Sequence, residues 1–127
     1  MITAFRGTSL DMNAEGLQSI LQLAEGDAAV LVEILDEIMH HTPQLMQDLS
    51  LAIDQADVQR VKRSAHSLKS SSAQIGALGM ADLCQQLETK SGRGELDGAG
   101  PLLGQIYQAY AHVEREVAQW KSRLRTQ

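Results

Sequence analysis

Between Leu31 and Ala56 the apolar residues return every third or fourth position: Leu31, Ile34, Leu35, Ile38, Leu45, Met46, Leu49, Ala52, Ile53 and Ala56. That spacing draws one stripe along an α-helix, whereas a strand would alternate apolar and polar side chains. Glu33, Glu37, Gln44, Gln47, Asp48 and Gln55 fall mainly off the stripe, so the helix has a wet face and a dry one. Pro43 interrupts the run, removing one backbone donor and crowding the carbonyl of Met39. The stripe keeps its phase across the proline, which predicts a single kinked helix rather than two.

The rest of the chain follows the same rule. Residues 1 to 10 read as a lead-in that Phe5 and Leu10 could tack to the body. Asp11 is placed to cap a short helix carrying Leu17, Ile20, Leu21 and Ala24, with Gly26 ending it and Asp27 capping the next. The turn at 54–57, "DQAD", leads to a helix from Val58 to Ile75, with Gly76 near its end. Another runs from Leu78 to about Lys90, with Leu83, Cys84, Leu87 and Glu88 in helical register. "SGRGELDGAGP" is a glycine-rich loop. Pro101 suits the first turn of a last helix bearing Leu103, Ile106, Tyr107, Tyr110, Val113, Val117, Trp120 and Leu124, roughly 35 Å long. Four long amphipathic helices with short connections predict an all-α, antiparallel up-down four-helix bundle with a short extra N-terminal helix.

Composition agrees and narrows the function classes. At 127 residues the chain is one domain's worth, and only 3% of it is aromatic, which suits helices better than a β-sandwich. A net charge of −5 argues against a nucleic-acid binder, which would show a basic face. The single cysteine, Cys84, excludes an internal disulfide and a thiolate cluster, and its register makes it a core residue. With no apolar run long enough for a membrane span and no signal-peptide pattern at the start, the expected location is cytoplasmic.

The stretch "AHSLKSSSAQIGA", residues 65 to 77, places a histidine where its role depends on direction. On a wheel of about 100° per residue, Val58, Val61, Ala65, Leu68, Ser72 and Ile75 form the buried face. His66 lies roughly 130° from the centre of that face, so it is not a core histidine. Its neighbours three and four residues away are Lys62, Arg63, Lys69 and Ser70, a cationic patch on an acidic chain that would attract an anion. Ser70, Ala73 and Ala77 are small and leave the surface around the ring open to another protein. An exposed imidazole beside lysine can accept a phosphoryl group, although a merely solvated face has the same look.

"AHSLKSSSAQIGALGMADLCQQLE", residues 65 to 88, resembles the signature of histidine-containing phosphotransfer (HPt) domains of two-component phosphorelays. The likeness extends from Leu10 to Leu124, including the mid-helix proline, and implies a single domain over 11–124 with a tail at 125–127. It implies that His66 is phosphorylated, that Lys69 attends the phosphoryl group, and that Glu88 reaches the ring from the next helix. Gly76-Ala77 matches the family's Gly-Ala element. By the same resemblance the partners are receiver domains of response regulators or hybrid sensor kinases. The nucleophile would be Nε2, with Glu88 on Nδ1–H, and a Mg²⁺ ion would belong to the receiver, with no cofactor on this chain. Lys62 and Arg63 would add a weaker field, while Ser70 and Ala73 would sit under the docked partner. The chain departs from the family at Ser70, where glycine is usual; serine is a small substitute that should cost little.

Such a protein is a monomeric carrier without kinase activity of its own, since the chain has no Gly-rich phosphate loop and no room for a nucleotide domain. The short flanks lean toward a free-standing protein. One alternative is a non-catalytic helical adaptor that binds a receiver or kinase. Another is a metal- or ligand-binding bundle, but the inward Glu and Glu-x-x-His set that such bundles use is missing. Adjacent His40 and His41 diverge by about 100° and rarely share an ion. His112 and Glu116 have i,i+4 spacing without a third ligand. No metal site is expected.

Overall fold

The computed structural model describes Ile20, Gln22 and residues 24–125. Four helices occupy it: α1 (Ala28–Asp54), α2 (Val58–Gln74), α3 (Leu78–Gly92) and α4 (Ala99–Arg125), with no strand among the described residues. Each helix packs on its predecessor, and α4 closes back on α1. The connections at 55–57, 75–77 and 93–98 are too short for the chain to run back, so successive helices are antiparallel, as expected of an up-down bundle. The lead-in at 1–10 and most of the short helix expected after Asp11 lie outside the described residues. Ile20 and Gln22 are helical, and Ile20 and Ala24 are buried in the common core.

The stripes do what their spacing requires. Leu31, Leu35 and Leu49 of α1, Val61, Ala65 and Leu68 of α2, Cys84 and Leu87 of α3, and Ile106 of α4 are completely buried, with Trp120 nearly so. Each large side chain of this kind contributes on the order of 1.5–3 kcal/mol. Tyr107 departs from the expected stripe and stands 44% exposed. Buried hydroxyls turn back on their own helices: Ser72 Oγ donates to the Leu68 carbonyl at 2.7 Å, and Ser91 Oγ to that of Leu87 at 2.9 Å.

Helix α1 runs unbroken through Pro43. Pro43 has no N–H to give the Met39 carbonyl. The Tyr110 hydroxyl of α4 donates to that oxygen instead, at 3.4 Å. Asp27 caps α1 as its position predicts, accepting from the Ala29 and Val30 amides at 2.9 and 3.3 Å.

The three connections begin alike. Ala56, Gly76 and Gly94 all take positive φ, of 53°, 77° and 76°, and the following amides reach back to the carbonyls of Ala52, Ser72 and Lys90. This closing bond, six residues to one, is the Schellman pattern. It corrects the reading of Ala56 as stripe: the helix ends at Asp54, and Ala56 is exposed in the turn. The same geometry removes Ala77 from the surface around His66. The chain leaves the helix at Gly76, so the wheel no longer applies, and Ala77 is fully buried.

Candidate functional site

His66 projects from the middle of α2, and its side chain is 60% exposed. Facing it on α3, Glu88 is held at the edge of the core by Cys84 one turn before and Leu87 beside it, both completely buried. The His66 Nδ1 and Glu88 Oε2 are 2.8 Å apart. Lys69, one turn along α2, donates to the other carboxylate oxygen, Oε1, at 2.7 Å. The Lys69 ammonium also donates to Gln85 Oε1 at 3.0 Å, and Gln85 Nε2 donates to Thr89 Oγ1 at 3.0 Å. One turn forward on α2 thus meets one turn back on α3, as antiparallel helices demand.

The electrostatics follow from this placement. The Lys69 hydrogen bond holds the Glu88 carboxyl below the usual carboxylate range; burial opposes the shift, and His66 adds to it. A carboxylate kept ionised at a ring nitrogen makes that nitrogen the proton-bearing one. With Nδ1 occupied in this way, the second ring nitrogen, Nε2, is the one available as a nucleophile. Beneath the site, burial pushes the Cys84 thiol up to about 12, with the Glu88 charge adding to it and Lys69 opposing. Cys84 is therefore a core thiol and not a competing nucleophile.

The structure brings together His66, Lys69 and Glu88, and it spreads the rest of the expected set. Lys62, Arg63, Ser70 and Ala73 are exposed on α2, and among the described residues no hydrogen bond joins any of them to the His66 ring. Lys62 lies toward α3, its Cε 4.0 Å from where a Cβ on Gly92 would stand. Arg63 lies toward α1, where its charge helps depress the Asp48 carboxyl. The two cations therefore flank the histidine on opposite sides. Gln85 and Thr89 escaped the sequence reading; the three-residue step from Gln85 to Glu88 and the four-residue step from Gln85 to Thr89 were the available signal. Also missed was a polar clasp between α1 and α2, in which Asp48 accepts from Arg60 and, at 2.8 Å, from Ser64.

Among the described residues, no three His, Cys, Asp or Glu side chains gather where a metal could sit. His40 and His41 meet edge to face with ring centroids 5.8 Å apart. No helix of the described residues is long and apolar enough to cross a membrane.

Comparison with known proteins bears on this arrangement. A family model described as the Hpt domain matches residues 33–122. Among solved structures, the chain is similar to histidine-containing phosphotransfer protein B (HptB) from Pseudomonas aeruginosa PAO1. The two share 27% identity over 91% of this chain and 98% of that one, with a TM-score of 0.83. No curated protein sequence matches. The matched residues take in α2, α3 and most of α1 and α4, so this chain belongs to the Hpt domain family, the phosphorelay carriers of two-component signalling whose partners as a class are receiver domains.

Proposed function

We propose that His66 is the residue on which this chain carries its phosphoryl group. The observation that carries the reading is the 2.8 Å contact from Nδ1 to Glu88 on a ring that is otherwise largely exposed. The Nε2 lone pair attacks the phosphorus of a receiver's aspartyl phosphate. As the N–P bond forms, the P–O bond to the aspartate breaks, and its electron pair leaves with the carboxylate. The Nδ1 proton stays in place, and the ring takes a formal positive charge that Glu88 offsets, the role a carboxylate plays behind a catalytic imidazole. Lys69 faces the transferring oxygens, with Lys62 and Arg63 supplying a weaker field. Positioning and electrostatics of this kind are most of what phosphoryl transfer asks of a protein. Reversal onto a second aspartate discharges the carrier.

The Mg²⁺ ion that neutralises the aspartyl phosphate belongs to the receiver. The partners are receiver domains of response regulators or hybrid sensor kinases, met one at a time by a monomer in the cytoplasm. Ser70 and Ala73, small and exposed, form part of the surface beneath them. Incubation with a phosphorylated receiver should place an acid-labile, base-stable phosphoryl group on the chain. His66→Gln should abolish it. Undiminished label on that variant would overturn the assignment.

A further inference from the structure

Lys69 is a flexible side chain, yet its ammonium is held at two points on α3. Glu88 Oε1 accepts at 2.7 Å and Gln85 Oε1 at 3.0 Å. The Gln85 amide is itself oriented, because its Nε2 donates to Thr89 Oγ1 at 3.0 Å and so leaves the oxygen toward the lysine. An ammonium has three N–H donors in tetrahedral array, so committing two of them sets the direction of the third. Glu88 alone would leave the group free to swing about a single bond.

We propose that Gln85 is a positioning residue for phosphoryl transfer: together with Glu88 it fixes two of the three Lys69 donors, so that the third is offered in one direction to the phosphoryl oxygens. Gln85 touches neither His66 nor the reacting phosphorus and acts only through Lys69. Its neutrality matters, because a second carboxylate would hold the ammonium as firmly while cancelling the charge that the phosphoryl group requires. Thr89 keeps the amide from turning its NH₂ toward the lysine. The proposal rests on the reading of His66 as the phosphoryl acceptor.

The test is a double-mutant cycle on transfer from a phosphorylated receiver, measured at saturating receiver so that the rate of transfer is separated from docking. Gln85→Met preserves length and helix propensity while removing the acceptor. It should slow transfer about five- to tenfold, the net scale of one ordinary hydrogen bond, with the half-saturating receiver concentration unchanged. In a Lys69→Met background the same change should alter the rate less than about twofold, because its route of action is gone. Equal slowing in both backgrounds, or no slowing in the native one, overturns the proposal while leaving His66 as carrier. A native chain that takes no label overturns the carrier reading and this proposal together. Matching thermal unfolding of Gln85→Met and the native chain would exclude a merely structural loss.

Discussion

Glu88→Ala is the sharpest perturbation of the site, because the same carboxylate serves two partners. At Nδ1 it faces a ring that becomes formally positive only as the phosphoryl group arrives, so its charge favours the transition state over the resting state. A unit charge pair about 4 Å apart at an effective dielectric of about 20 interacts by about 4 kcal/mol. The His66 side chain is 60% exposed, so water screens much of that, and about 2 kcal/mol is a fair working value. That corresponds to roughly a 30-fold slowing. Glu88→Gln keeps an acceptor for Nδ1–H without the charge and should fall between, about fivefold slower. Rapid-quench single turnovers against a phosphorylated receiver give both rates, and circular dichroism should show an intact bundle for each variant. Transfer by Glu88→Ala within twofold of the native rate would refute the electrostatic role. If the Gln variant were as slow as the Ala variant, charge and not hydrogen bonding would carry the whole effect.

Three other outcomes follow from features away from the histidine. The Asp48 carboxyl is held below its usual range, first by the Arg60 hydrogen bond and then by Ser64. Its contribution to stability is therefore present above the ordinary carboxylate pKa and lost as pH falls through the lower folded value. Asp48→Asn should accordingly flatten the acid limb of a urea-midpoint against pH curve. Ala56→Gly relieves a left-handed alanine at φ 53° and should raise stability by about 0.5–1 kcal/mol in urea unfolding. Burial pushes the Tyr110 phenol up to about 12, so in a Tyr107→Phe background the phenolate absorbance should appear only near there. Stability from that group is present below about pH 10 and is lost as pH rises toward 12.

Helix periods and the outward turn of His66 were legible because both depend only on positions within one helix. The stripe from Leu31 through Ile53 and the inward turn of Ser72 needed no knowledge of neighbours. Where the helix stops, the same arithmetic fails, which is why a single left-handed residue, Ala56 in one turn and Gly76 in the next, misplaced Ala56 and Ala77. Contacts between helices depend on axial register, which a single sequence does not encode locally. Asp48 with Ser64 and Lys69 with Gln85 became visible only once α1, α2 and α3 had been set side by side. Lys62 and Arg63 share a helix face with His66, yet they separate because α3 and α1 lie on opposite sides of it.

Pro43 affects how two helices align. In an ordinary stretch of helix every carbonyl is answered within the helix, so two packed helices can slide past one another without disturbing either ladder. Here the Met39 carbonyl is answered by Tyr110 on α4. A slip of one turn, about 5.4 Å, would move the phenol past its acceptor and leave a polar oxygen unanswered beside the core. Proline and tyrosine thus act as a key and slot between the two longest helices. They select one alignment where repeating apolar stripes alone would accept several.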